Sequence, residues 1–406
     1  MNEFAYKLIR EKKIAFKSGN FFILGFPNNI ITLANAATFF HILSMKYGES
    51  AEYILKSVAN KQIKAIAYSL FNSTNPINME KADLLLQYLG LFGYGDIKIS
   101  SVSSSSKEVA FKIKNSTLCL MHLKLFGVKA KAKNAFIEGI CAAIAELIFG
   151  CNMAGSETGC VANHKEHCYV IAGKNSSKET SSIVELYRAD ALSTLKSRAL
   201  ANTQAELIKK VSGHNMVSWD DGIFTLWNCP IFVIPSLSLI FLVKSLEYKF
   251  GEEVNNLLYH LARVQSREAV KLQVNTLGFR KNDSLLKSIL EHSDISGFGS
   301  VKLVKADFKN HLLSIEQFYN PHSFYTREFF GNARQPADSY VSGLVAGAAE
   351  GFFDVPMEST ETKCVAKGDG CCFYQSSQKN LETKYPLEDK FLRIIEEKIT
   401  TKNFTL

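Results

Sequence analysis

One motif occurs twice in the chain: "ETGCVANHKEHC" spans residues 157–168, and "ETKCVAKGDGCC" spans residues 361–372. Each copy has a glutamate, a cysteine three positions later, and a second cysteine eight positions after the first. The copies lie 204 positions apart and share the start Glu-Thr-x-Cys-Val-Ala. This repetition indicates an internal duplication of the chain.

The flanking sequence keeps nearly the same register. "GYG" at 93–95 matches "GFG" at 297–299 at the offset of 204, and "KYGE" at 46–49 matches "KFGE" at 249–252 at an offset of 203. One inserted residue between these points accounts for the difference. We therefore predict two homologous units, residues 1–175 and 215–406, joined by a helical linker, 176–214, with a terminal amphipathic helix in the second unit.

Both predicted units have the same order of elements. A short strand leads into an apolar helix that ends at the Lys-aromatic-Gly-Glu turn. Long amphipathic segments follow, such as "ESAEYILKSVANKQIKAIAYSLF" at 49–71, with apolar residues at three- and four-residue spacing. Alternating segments such as "KEVAFKI" at 107–113 then predict strands. Since helices and strands are segregated, the predicted class is α+β, each unit a helical layer packed on a small antiparallel sheet.

Composition indicates a globular protein, because 47% of the 406 residues are apolar and 21% are charged. The longest apolar run, 229–243, is interrupted by prolines and serines and is shorter than the roughly 18 to 20 residues of a spanning helix. The first residues lack a signal-peptide pattern, so we expect a cytoplasmic protein with no membrane span. The net charge of +8 is modest, which makes nucleic acid an unlikely partner.

The repeated side chains suggest metal binding. A hairpin would bring Glu157 and Cys160 close to Cys168, which supplies most of a tetrahedral zinc shell. The alternative is a pair of buried thiols beside a solvated glutamate, but the carboxylate is retained in the second copy. His164, His167 and Cys371 lie in or beside the two turns, and their positions point away from the expected clusters.

In the second copy the same three roles fall to Glu361, Cys364 and Cys372. At this point the residues resemble a known family, the vinyl-4-reductase domain. The resemblance is carried by "FIEGICAAIAELIFGCNMAGSETGCVANHKEHCYVI" at 136–171 and "YVSGLVAGAAEGFFDVPMESTETKCVAKGDGCCFYQ" at 340–375. It implies two tandem copies of the fold that this family shares with the small subunits of the vesicle-tethering TRAPP complex. The family includes archaeal hydrocarbon-binding proteins, a bacteriochlorophyll-synthesis accessory protein and the sensor domains of phenol-responsive activators.

The resemblance also implies a structural zinc ion. The phenol sensors add a cysteine ligand 23 residues before the glutamate, and the matching positions here are Asn134 and Asp338. Asp338 offers a carboxylate as the fourth ligand, whereas Asn134 offers only an amide. The family pattern therefore favours zinc in the second unit.

No nucleotide-binding, hydrolase or metalloprotease motif occurs in the chain, so we expect no enzyme. A reductase or a tetrapyrrole-synthesis accessory protein is the less favoured alternative. The family places an apolar cavity between its helices and the metal hairpin. The candidate lining residues, each of which would otherwise be ordinary core, are Phe224, Trp227, Phe232 and Phe241 in the second unit and Phe22, Phe39 and Phe40 in the first.

These expectations describe a sensor that binds a hydrophobic or aromatic small molecule. The 406 residues contain no ATPase or helix-turn-helix pattern, so we expect a protein partner to carry the output. The alternative is a scaffold of the TRAPP type, which would assemble proteins without a ligand. Fold resemblance alone does not separate these two functions.

Overall fold

The computed structural model describes most of the chain. The described residues are 8, 11, 14–17, 20–23, 26–72, 76–127, 134–163, 165–175, 217–220, 222–226, 229–277, 281, 282, 286, 289, 296–378 and 387–404. The predicted linker, His164 and Trp227 lie outside them. Below, the first half means residues up to 175, and the second half means residues from 215 onward.

Groups of two or three strands are followed by pairs of helices along each half. The first half contains β1 (Ile14–Lys17), β2 (Asn20–Ile23), β3 (Phe26–Thr32), α1 (Leu33–Phe71), α2 (Met79–Gly90), β4 (Asp96–Ser103), β5 (Glu108–Lys114), α3 (Thr117–Phe126), α4 (Ala135–Phe149), β6 (Met153–Gly159) and β7 (Cys168–Lys174). The second half contains β8 (Val217–Asp220), β9 (Ile223–Leu226), β10 (Cys229–Pro235), α5 (Ser236–Phe250), α6 (Glu253–Leu277), β11 (Ser300–Asp307), β12 (Leu312–Phe318), α7 (Pro321–Phe330), α8 (Ser339–Phe353), β13 (Met357–Lys363), β14 (Cys372–Gln378) and α9 (Asp389–Lys398).

Each half has its own four-stranded antiparallel sheet, with the order β4-β5-β7-β6 in the first and β11-β12-β14-β13 in the second. The register shifts at matching points, between Ile99 and Ser101 in one sheet and between Leu303 and Lys305 in the other. Helix α4 packs on the first sheet and α8 on the second. The predicted α+β class, with helices layered on small antiparallel sheets, is confirmed.

A third sheet joins the halves. Its order is β1-β2-β3-β10-β9-β8, and β3 pairs with β10 in antiparallel register. In that register Ile30 lies opposite Val233, its own counterpart at the offset of 203. The arrangement of the two halves around this pair is therefore that of a pseudo-twofold axis.

The Gly-aromatic-Gly turns cross between the halves. The Val233 amide donates to the Phe92 carbonyl at 3.0 Å, and the Ile30 amide donates to the Ser296 carbonyl at 2.9 Å. The Tyr94 hydroxyl also donates to the Val233 carbonyl at 2.7 Å. Each half thus supplies a hydrogen-bond partner to the middle of a buried strand of the other, and the boundaries at 175 and 215 stay a prediction.

The Lys-aromatic-Gly-Glu turns interrupt the helices as predicted. Gly48 has φ 54° and kinks α1, and Gly251 has φ 81° between α5 and α6. Beyond the kink, α1 packs along α4, as α6 packs along α8. A Cβ atom at Gly347 of α8 would overlap the Arg263 carbonyl oxygen of α6, so a glycine there permits backbone contact between the helices.

The predicted C-terminal amphipathic helix is present as α9. The side chains of Phe391 and Ile395 on α9 are buried. Its Glu396 pairs with Arg263 at 3.1 Å and with Arg267 at 2.6 Å. These contacts dock α9 on α6. Within the described ranges, no helix is both long and apolar enough to cross a bilayer.

Candidate metal centres and ligand cavity

Four potential metal ligands converge in the first half. Cys119 comes from α3, Glu157 from β6, Cys160 from the residue after β6, and Cys168 from the start of β7. One ligand atom of each lies within 4.8 Å of the others. The three thiols are buried and the carboxylate is half-buried. The hairpin turns through a short 3-10 segment, Val161–Asn163, which returns the chain to Cys168.

The spacing of these atoms suits zinc. The Sγ atoms of Cys160 and Cys168 are 3.6 Å apart, and Cys119 Sγ lies 3.8 Å from Glu157 Oε1. Tetrahedral zinc with Zn–S bonds of roughly 2.3 Å separates two sulfurs by about 3.8 Å. Three thiolates and one carboxylate therefore fit a closed tetrahedral shell.

Electrostatics favour a cation at this cluster. Burial, together with the charge of the neighbouring Cys168, raises the pKa of Glu157 to about 8. A buried carboxylate among thiolates is costly to ionise unless a positive charge is present. A bound divalent ion would supply that charge and would favour the deprotonated forms of the carboxyl and thiol groups.

The second half brings together only three such ligands among its described residues: Glu361, Cys364 and Cys372, all buried. The position of Cys119 is taken by Ser323, at the offset of 204. The Ser323 hydroxyl lies 3.3 Å from Cys372 Sγ and 3.5 Å from Cys364 Sγ. A neutral hydroxyl is outside the usual zinc ligand set of thiolate, imidazole and carboxylate.

Asp338, expected from the sequence as the fourth ligand, lies outside the group formed by Glu361, Cys364 and Cys372, and both of its carboxylate oxygens have other partners. Its Oδ1 accepts from the Val341 amide at 3.0 Å and caps α8, while Oδ2 accepts from Asn320 Nδ2 at 3.0 Å. Asn134 caps α4 in the same way, accepting from the Ile137 amide at 3.2 Å. Each side chain thus caps the first turn of a helix, and Asn134 Nδ2 also donates to Cys119 Sγ of the first cluster at 3.6 Å.

The second cluster also has hydrogen-bonding neighbours that the first lacks. The Tyr374 hydroxyl donates to Glu361 Oε1 at 3.3 Å, and Asn320 Nδ2 lies 3.4 Å from that hydroxyl. The first half has Val170 and Ser116 at these two positions. The first half nevertheless holds the larger set of potential metal ligands, four against three among the described residues, which is the reverse of the expected ranking.

Sequence reasoning missed Cys119. The other ligands were found because they recur at the offset of 204, and at that offset Cys119 meets a serine. It lies on helix α3, 38 positions before Glu157 of strand β6, so no local spacing connects it to the motif. The signal that identified the motif therefore excluded its fourth member.

A cavity of about 140 Å³ lies in the second half, between α6, α8 and the sheet. Its described lining is mostly apolar and consists of Gln265, Ser266, Ala269, Val270, Gln273, Leu286, Ile289, Ser296, Phe298, Val301, Leu313, Ile315, Gln317, Val341, Leu344, Val345 and Ala348. None of these described side chains is an acid, a base or a thiol. A molecule in the cavity would therefore contact apolar side chains and a few amide and hydroxyl groups.

The predicted lining residues lie elsewhere. Phe224, Phe232 and Phe241 are fully buried core residues. Phe22 and Phe39 are also buried in the core. Phe40 lines a smaller cleft of about 50 Å³ in the first half, together with His41 and His122. Sequence alone did not distinguish aromatic core from aromatic lining, because both require the same side chains.

Five of the lining positions carry a larger side chain in the first half. The pairs, second half before first, are Ser266 and Ile63, Ala269 and Ile66, Ser296 and Phe92, Ile315 and Phe111, and Ala348 and Ile144. All five first-half residues are fully buried. At these five lining positions the second half has the smaller residue, whereas its Val270, Leu313 and Val345 are larger than their counterparts Ala67, Val109 and Cys141.

Comparisons with known proteins add little. No protein-family model matches the sequence, and no curated protein matches it. Among solved structures, the phenol-responsive sensory domain of the transcription activator PoxR, solved with phenol, is 16% identical at a TM-score of 0.38, covering 43% of this chain and 90% of its own. A vinyl-4-reductase family protein from Methanocaldococcus jannaschii is 18% identical at a TM-score of 0.23, covering 30% and 68%. The function of this chain is therefore argued from its own residues.

Proposed function

We propose that the chain binds a small hydrophobic or aromatic molecule in the cavity of its second half. The cavity carries this proposal, because its volume of about 140 Å³ is close to that of an apolar cavity known to take up benzene, roughly 150 Å³. Its wall has no titratable side chain among the described residues. Such a wall suits binding better than catalysis, so the proposed role is that of a sensor.

The halves are proposed to be tandem copies of one vinyl-4-reductase-like unit that have diverged. Matching strand orders, matching register shifts and the Ile30–Val233 pair support the duplication. On this view the first copy keeps the complete metal donor set and has a filled core. The second copy keeps the cavity and has a reduced donor set.

Zinc is the proposed ion of the first cluster. Cys119, Glu157, Cys160 and Cys168 would hold it, and the bound ion would act as a structural cross-link between α3 and the closing hairpin. The Val161 amide also donates to Cys168 Sγ at 3.4 Å, and α3 packs against the turn that follows β6. The free energy of metal binding would add to the free energy of folding.

The output of the sensor is proposed to pass through a protein partner. Gln265 in the cavity wall also contacts the first half, where Asn35 Nδ2 lies 2.5 Å from its Oε1. A ligand that reorients Gln265 would thereby alter the contact between the two halves. That contact is a route by which binding could change the surface offered to a partner.

Native mass spectrometry of protein purified from cells tests the proposal. Spectra taken before and after mild denaturation show whether a small molecule is retained and then released. We expect a retained molecule in the wild type and its loss in Ala348→Ile, which places the first half's isoleucine in the cavity. An empty wild type bound to a stoichiometric protein partner would instead support the scaffold function.

A further inference from the structure

One amide of the cavity wall, that of Gln265, lacks a hydrogen-bond partner that its counterpart in the first half has. In the first half, Gln62 Nε2 donates to the Tyr94 hydroxyl at 2.9 Å, and both side chains are buried. Their counterparts are Gln265, at the offset of 203, and Phe298, at the offset of 204. Since Phe298 has no hydroxyl, Gln265 lacks the acceptor that Gln62 has.

In the second half a neighbouring ring, that of Tyr340, carries the hydroxyl instead. Tyr94 contacts Phe136 in the first half, with ring centroids 5.6 Å apart, and Phe298 contacts Tyr340 in the second, with centroids 5.2 Å apart. Phe136 and Tyr340 are counterparts at the offset of 204. The tyrosine is thus the first ring of the pair in the first half and the second ring of the pair in the second half.

This exchange engages only the oxygen end of Gln265. Its Oε1 accepts from the Tyr340 hydroxyl at 3.2 Å and from Asn35 Nδ2 at 2.5 Å. Its Nε2 makes no hydrogen bond to any residue that the structure describes. Gln265 is half-buried and lines the cavity. Gln317, which also lines it, is used at both ends: Nε2 donates to the Phe298 carbonyl and Oε1 accepts from Asn320.

We propose that Gln265 is the specificity-determining residue of the cavity and that its N–H donates to an acceptor atom of the ligand. The ligand class is then a small ring that carries one carbonyl or hydroxyl oxygen. This inference rests on the proposed function, since it assumes that the cavity is a binding site. Its physical basis is that an N–H facing an apolar cavity costs free energy until an acceptor reaches it.

Two probes of the same shape test the proposal on the full chain. Cyclohexanone and methylenecyclohexane differ only in C=O against C=CH₂, and titration calorimetry or NMR gives the affinity of each. Water prefers the ketone, so the informative quantity is the change in each affinity on mutation. In Gln265→Leu we expect the ketone to bind roughly 3- to 10-fold more weakly, the range of one net hydrogen bond, while the hydrocarbon binds at least as well.

A second variant leaves Gln265 in place. Phe298→Tyr restores the hydroxyl that Tyr94 has, so it should occupy the Gln265 N–H and weaken the ketone relative to the hydrocarbon by a similar factor. Equal effects on both probes in both variants would overturn the role of Gln265 while leaving the cavity a binding site. Failure of both probes to bind the wild type would overturn the proposed function itself.

Discussion

Ile30 and Val233 lie opposite one another in the central sheet, and each is the counterpart of the other in the duplicated sequence. Around this pair, the amide of each residue donates to a turn of the opposite half. Each half therefore supplies a hydrogen-bond partner to a strand of the other half. We expect the two halves to unfold as one cooperative unit.

A glycine on α8 provides the first prediction. Gly347→Ala places a Cβ atom against the Arg263 carbonyl of α6 and should lower the free energy of unfolding by at least about 2 kcal/mol, as overpacking does. Because the halves are interlocked, a single unfolding transition should shift. Chemical denaturation, with hydrogen exchange followed in both halves, measures this.

The matched control is Gly370→Ala. A Cβ atom at Gly370 meets nothing within 4 Å, so this variant should unfold like the wild type. If Gly347→Ala accelerates exchange in the second half while the strands of the first half stay protected, the halves are independent and the interlocking argument is wrong.

The α+β class could be predicted because it depends on periodicity and on the order of the elements, which the sequence displays directly. The cavity could not, because it depends on the difference between Ala348 and Ile144 at equivalent places. That difference has meaning only once α8 is known to face α6. Phe232 illustrates the opposite error, since an abundant aromatic residue predicted as lining is part of the core.

The metal ligands illustrate the same limit. Glu157, Cys160 and Cys168 are close in sequence, and the structure brings them together. Cys119 joins them through the packing of α3 on the hairpin, which no local pattern reports. Asp338 was selected by family position, but an aspartate immediately before a helix is also a favoured N-cap, and that is its role here.

Exchanging Cys119 and Ser323 tests the metal assignment. Cys119→Ser removes one of four ligands, so zinc affinity of the first cluster should fall more than about 100-fold, since even outer-shell changes cost roughly 10- to 100-fold. Ser323→Cys adds a fourth ligand to the second cluster and should raise the zinc content of the protein. Metal analysis after dialysis against a chelator gives the stoichiometry of each variant. A wild type that retains zinc through Cys364 but not through Cys160 would contradict the ranking.

A histidine pair predicts acid sensitivity. His41 Nδ1 and His122 Nε2 are 3.1 Å apart, and burial lowers the pKa of His122 to about 4. A base whose pKa is lower when folded stabilises the fold above its ordinary pKa of about 6.5 and loses that contribution as the pH falls toward 4. Relative to His122→Gln, the wild type should lose about 1 kcal/mol between about pH 7 and about pH 5, after allowance for partial solvent screening. Parallel denaturation curves for the two proteins that keep a constant separation would contradict this.

The central claim is that the second half contains a cavity that binds a small ring. Titration of the full chain with toluene, followed by NMR of the methyl groups of Val345 and Leu313, measures it most directly, with Ala348→Ile as the cavity-filled comparison. We predict saturable binding of one equivalent to the wild type with a Kd below about 1 mM, close to −4 kcal/mol, and no saturable binding to the folded variant. A wild type without saturable binding, or a variant that binds toluene equally well, would contradict the claim.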